Sequence, residues 1–262
     1  MSGDRAEFDH VVIGSGAGGG PLAAELVRAG RTVLLLEAGG EHEGANYSVP
    51  AFHPLSTEEP ECRWDYFVKH YSDVARQRQD AKYVPEGAGI WYPRAGTLGG
   101  CTAHHALITL CPHNRDWDRI AQATGDASWS AANMRGHFER LERCGYLPPG
   151  SGGRHGFDGW LPTAVGDPAL AQADPLLAGF LQAVQREVGR PVHPTLDPNH
   201  WDAVPSGAEG LCAIPMSVGG SRRAGARERV RAVQREFPDR LVVRTNALAT
   251  GLLWEGTTCV GV

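Results

Sequence analysis

Two glycine-rich stretches hold the residues whose types and spacing point to chemistry. The first is Gly14-Ser15-Gly16-Ala17-Gly18-Gly19, which satisfies G-x-G-x-x-G with glycines at 14, 16 and 19. Gly14 would permit a tight turn, Gly16 would let backbone approach a pyrophosphate, and Gly19 would let a helix pack closely on a strand. The pyrophosphate would then rest on unsatisfied N–H groups at the start of that helix. Glu37 follows at the end of the next apolar run, where a carboxylate accepts from ribose hydroxyls and repels a 2′-phosphate. The second stretch is "AGTLGGCTAHHALI", residues 95–108, with Cys101, Thr102 and the adjacent pair His104 and His105. Cys101, His104, Cys111 and His113 can be written as a metal-ligand set. Zinc, however, needs three or four convergent ligands, and neighbouring side chains on an extended chain point to opposite sides. No metal is assigned. A packed, hydrogen-bonded His104 remains open at this level.

The elements that must position these residues are legible in part. "FDHVVIG" at 8–14 reads as a buried strand, 18–30 as a helix with Leu22, Ala23, Leu26 and Val27 on one face, and "TVLLLEAG" at 32–39 as a second strand. Strand, glycine turn, helix and strand make a βαβ unit with parallel strands. Residues 40–92 show no clear period and predict long loops. Helices are predicted at 115–124, closed by Gly125, and at 131–143, with Ser130 as N-cap. Another is predicted at 175–188, capped by Asp174, with a stripe of Leu177, Leu181, Val184 and Val188. A last helix at 227–237 precedes the strand "RLVVRT" and a strand pair in "ALATGLLWEG" and "TCVGV". The run ending at Val262 reads as a strand whose pattern continues elsewhere.

Composition narrows the classes. The chain has 262 residues, 42% of them hydrophobic and 21% charged, which suits a folded core rather than disorder. The net charge of −5, with no basic block, argues against a nucleic-acid partner. Six cysteines without a Cys-x-x-Cys pair read as reduced thiols in a cytoplasmic protein, and no window approaches a membrane-spanning length.

Residues 92–145 carry a resemblance. Arg94, Leu98-Gly99-Gly100-Cys101-Thr102, Asp116-Trp117, Gly125, Trp129-Ser130 and Phe138 to Glu142 fall in the order found in the glucose–methanol–choline (GMC) oxidoreductase family. The N-terminal fingerprint and the segment "GSRRAGARERV" through "TNALATGLLWEG" are similar to that family as well. The resemblance implies an α/β fold: a Rossmann-like FAD-binding domain with part of a second α+β substrate domain, and the C-terminal part absent. On that basis 1–147 is the first part of the FAD-binding domain, 148–220 a partial substrate-domain insert and 221–262 the return to the FAD-binding domain. The cofactor-binding set it implies is Gly14, Ser15, Gly16, Gly19, Glu37, Ala38, Arg94, Leu98, Gly99, Gly100, Thr102, His104, His105, Ala106 and Ala249.

The implied function is oxidation of a small-molecule alcohol, with FAD rather than NAD as cofactor, since flavoproteins of this type carry Glu at the position of Glu37. The leading reading is the N-terminal FAD-binding portion of a GMC-type alcohol oxidase or dehydrogenase. A non-catalytic FAD-binding fragment or subunit is the alternative, with a complementary C-terminal half or a second copy as partner, and an NAD-dependent dehydrogenase is a further one. The family's catalytic histidine lies beyond this chain's range, so no residue here is assigned as catalytic and the chain alone is expected to be inactive. In choline-oxidase-like members the histidine at the position of His104 is bonded to the flavin 8α-methyl carbon. His104 is therefore the covalent candidate, and His105 replaces the family's asparagine.

Overall fold

In the computed structural model, which describes residues 7–167, 169, 173–188, 197–203 and 212–262, the apolar run before the glycine turn forms β1 (His10–Ile13). The turn opens α1 (Gly19–Arg28), and the chain returns as β2 (Val33–Leu36), parallel to β1 with Val12 opposite Leu35. α1 lays Ala23, Ala24 and Val27 on this sheet, in a core with Val12, Val33, Leu35 and Leu98. It stops because Gly30 takes φ +91°, a left-handed residue that lets the Arg31 N–H reach the Leu26 carbonyl.

The stretch expected as long loops holds a three-stranded antiparallel sheet instead: β3 (Arg63–Val68), β4 (Tyr83–Val84) and β5 (Gly89–Ala95), in the order β3-β5-β4. Ile90 is buried, but the strands present no continuous buried face. Trp64, Tyr66, Phe67 and Tyr92 are all exposed, so the apolar–polar alternation that marks a half-buried strand never develops. Pairing rests on the backbone ladder and cross-strand contacts such as the Trp91 indole N–H donating to Asp65 at 2.8 Å.

Much later in sequence, α2 (Ala226–Glu236) and β6 (Leu241–Arg244) rejoin this unit. β6 pairs in parallel with the free edge of β2, giving the order β1-β2-β6. α2 packs on α1 through Val230 and Val233, and Gly20 makes the approach possible: a Cβ there would stand 3.1 Å from the Ala226 Cβ. The expected strand pair forms a hairpin, Leu253–Glu255 with Thr258–Gly261.

The chain divides into two compact units, residues up to Ala106 with Ser221–Val262, and Leu107–Gly220. The sequence places its first boundary at 147; the structural division falls between Ala106 and Leu107. In the second unit the helices Asn114–Thr124 and Ala131–Leu141 form as expected, around a cluster in which Trp117 lies 6.2 Å from both Trp129 and Phe138. Ser130 occupies the N-cap position but its side chain makes no cap bond, a correction to the expectation. The Asp118 carboxylate reaches across from the preceding helix and accepts from the Ala131 N–H at 2.9 Å, doing that work instead. Asp174 caps Pro175–Val188, accepting from the Leu176 N–H at 2.9 Å. The side chain of Val188, the last residue of that helix's stripe, lies outside the described residues.

Candidate functional site

The turn after β1 is built as its glycines require. Gly14 takes φ +88°, and a Cβ on Gly19 would fall 2.0 Å from the Gly14 carbonyl oxygen. Ser15 is fully buried between them. Its N–H donates to Glu37 Oε2 at 3.0 Å, its hydroxyl donates to the same oxygen, and Glu37 Oε1 accepts from the Gly39 N–H at 2.9 Å. The buried Glu37 carboxylate thus braces the turn, a role its position in sequence did not reveal. α1 begins with no side-chain cap and no acidic residue in its first turn. Its positive end is met by no side chain of its own first turn.

The second glycine stretch docks on this turn. Gly39 lies against Gly96 so closely that a Cβ would overlap the Gly96 carbonyl, and Gly40 bridges Thr97 in parallel. Leu98, wholly buried, donates its N–H to the Gly40 carbonyl at 2.9 Å. The Gly99 N–H donates to the Ser15 hydroxyl at 2.9 Å, and a Cβ on Gly100 would stand 2.8 Å from the Gly16 Cα. Glycines from two motifs therefore meet back to back. Thr102 fastens the far end: its hydroxyl donates to the Gly99 carbonyl at 2.7 Å and accepts from the Ala226 N–H at 3.1 Å.

The other expected residues scatter more. Ala38 is half-buried beside Glu37, and Ala106 is half-buried at the end of the second stretch. Ala249 follows a segment that runs beside the end of β2, where the Asn246 and Ala247 N–H groups donate to the Gly39 and Glu37 carbonyls. Arg94 is exposed on β5, with a guanidinium nitrogen 3.7 Å from Cys101 Sγ. Sequence reasoning passed over Gly39, Gly40 and Gly96; the doubled glycine after "LEA" was the available signal.

His104 and His105 separate. His105 is exposed. The His104 ring is half-buried, and its Nε2 is buried without a hydrogen-bond partner. The neighbouring Cys62 backbone favours the protonated ring, against the effect of burial. Desolvation foremost, with the nearby Arg223 charge, holds the imidazole below the ordinary histidine pKa. The neutral imidazole is thereby favoured, and its Nε2 has no partner.

Among the described residues one group gathers atoms suited to a metal, Glu142, Cys144 and His155, all within the second unit. Its donors are already committed. His155 Nδ1 bonds Glu142 at 2.9 Å and Nε2 bonds Asp197 at 2.6 Å, while Glu142 also accepts from the Thr163 hydroxyl at 2.8 Å. Burial opposes charge on His155, but the Asp197 and Glu142 bonds outweigh it and raise the pKa to about 9. Burial pushes the Cys144 thiol up, away from the thiolate a metal takes. The cluster is an imidazolium clamped by carboxylates.

No protein-family model matches the chain. It is 30% identical over 179 residues to pyridoxine 4-oxidase from Microbacterium luteolum, covering 68% of this chain and 32% of that protein. It is 28% identical over 262 residues to an oxygen-dependent choline dehydrogenase from Pseudomonas syringae pv. tomato, covering 98% of this chain and 42% of the relative. The crystal structure of pyridoxine 4-oxidase from Mesorbium loti superposes with a TM-score of 0.73 at 25% identity, over 95% of this chain and 44% of that one. The chain thus spans less than half the length of these relatives, and among the described residues no helix is long and apolar enough to cross a membrane. Fold and sequence likeness extend together across the paired glycine motifs and the return through β6, and on that footing the chain belongs to the glucose–methanol–choline oxidoreductase family and matches its N-terminal portion.

Proposed function

We propose that this chain is the FAD-binding portion of an oxidoreductase acting on CH–OH donors. The observation that carries the reading is the meeting of Gly16 and Gly100, where a Cβ on Gly100 would stand 2.8 Å from the Gly16 Cα. Two backbone segments free of side chains make a bed for a flat, pyrophosphate-linked ligand. When bound, FAD supplies the hydride acceptor. The chain's own residues hold and orient it: the α1 N-terminus the pyrophosphate, Glu37 and Ala38 the ribose side, Ala249 the adenine side, and Leu98 to Ala106 the flavin. The relatives' names refer to choline and pyridoxine, both alcohols, which supports a small-molecule alcohol as the substrate class.

His104 is the covalent anchor in this reading, through Nε2. The buried, unpartnered state of that atom supports the role, and a neutral imidazole is a competent nucleophile. Attachment would exchange a C–H bond of the 8α-methyl group for a C–N bond to Nε2, the methyl carbon and the imidazole each giving up one proton and two electrons passing to dioxygen to give hydrogen peroxide. The test is direct. Protein purified with FAD should co-elute with flavin absorbance, keep yellow flavin on the chain after acid precipitation, and lose both when Gly100 is changed to Val. Binding of NADH with no flavin retained would overturn the reading.

A further inference from the structure

We propose that Arg223 is a positioning residue for His104, fixing the backbone on both sides of it so that Nε2 is presented to the flavin; this rests on the anchoring role proposed above. Arg223 is only 3% exposed. Its Nη1 donates to the Thr102 carbonyl at 3.1 Å and to the His105 carbonyl at 2.9 Å, the two carbonyls that bracket the Ala103–His104 peptide. Its Nε donates to the Tyr47 carbonyl at 2.9 Å, and the Tyr47 ring lies 5.6 Å from its Cζ. A guanidinium taken out of water is costly unless its donors find acceptors; here Nε and Nη1 find main-chain carbonyls, two of them in the flavin segment, while Nη2 is buried without a partner. The Ser56 hydroxyl donates to the His53 carbonyl at 2.8 Å and lies 3.4 Å from the His104 carbonyl. With carbonyls 102 and 105 held by one buried guanidinium, the backbone on both sides of His104 is fixed and the path of its side chain is set.

Lysine cannot replace this arrangement, because a single ammonium on a flexible stem does not match a planar fork spanning separate carbonyls. The Arg223 charge also favours a neutral His104. A displaced nucleophile loses rate steeply: about 1 Å of misplacement can cost about 100-fold.

The experiment compares the full chain with its Arg223→Lys and Arg223→Met variants. Total FAD bound is measured before acid precipitation and covalent flavin after it. In parallel, the imidazole resonance of His104 is followed in 13C-histidine-labelled, FAD-free protein. Both variants should still bind FAD, with the covalent fraction formed per hour falling about tenfold or more. The His104 resonance should broaden, and in Arg223→Met its titration should move up towards the ordinary histidine range. Covalent yield and resonance both unchanged in the variants would overturn the proposal. Non-covalent flavin in the unmutated protein would instead sink the anchoring role of His104. In that case the His104 resonance decides the positioning claim: broadening upholds it, and an unchanged line refutes it. Should Arg223→Met fail to fold, Arg223→Lys, which keeps the charge, tests the geometry by the same two measurements.

Discussion

His155 keeps a charge inside the second unit because Glu142 and Asp197 reach its two ring nitrogens from either side. Its folded pKa of about 9 lies above the ordinary 6.5, so its stabilisation is fully present below pH 6.5 and fades as pH rises through about 9. The two carboxylates are shifted the other way, their pKa values lowered against the opposing effect of burial, so the same interaction also fades in acid. Thermal melts should therefore show this unit losing on the order of 2–3 kcal/mol between pH 6.5 and about pH 10. Asp197→Asn should flatten that loss and cost about 3 kcal/mol at neutral pH, read by denaturant unfolding. Gly19 offers a steric test of similar sharpness. An added methyl would fall 2.0 Å from the Gly14 carbonyl oxygen, so Gly19→Ala should cost about 1–3 kcal/mol and release flavin. Glu37 shows where local reading stops: its place after an apolar strand indicated a ribose contact, while its bonds to Ser15 and Gly39 exist only once the turn has closed.

At the scale of elements, Thr102 joins the second glycine stretch to α2. Its hydroxyl accepts from the first N–H of α2 and donates within its own turn to the Gly99 carbonyl. Thr102→Val should leave the helices formed but unfasten the segment, lowering stability by about 1–3 kcal/mol and weakening FAD retention in equilibrium dialysis. α1, β2, α2 and β6 were legible in sequence because each presents an apolar face to one core at helical or strand spacing. β3, β4 and β5 were not, because Ile90 is buried but most of the sheet's large side chains are exposed, and pairing alone leaves no period in the residues.

Among the described residues, the β1-β2-β6 sheet is covered on one side by α1 and α2. Parallel sheets are ordinarily covered on both, yet Val11 and Ile13 on β1 are 42% and 52% exposed. The purified chain should bind a hydrophobic dye and self-associate with rising concentration in sedimentation. Val11→Thr with Ile13→Thr should reduce both while keeping the circular dichroism spectrum. Dye binding unchanged by that pair would show the apolar surface to lie elsewhere, for example at Trp64, Tyr66 and Phe67.

The sequence by itself determined the βαβ unit, its glycine turn, the later helices and the family, because those rest on local needs: left-handed backbone at Gly14, close packing at Gly19, and apolar faces at fixed spacing. Only the tertiary structure decided that Gly16 meets Gly100, that Glu37 braces Ser15, that His104 leaves Nε2 without a partner, and that Arg223 grips the carbonyls around it. Those contacts join residues far apart in the chain. They are set by how the elements pack, and no periodicity within one segment encodes them.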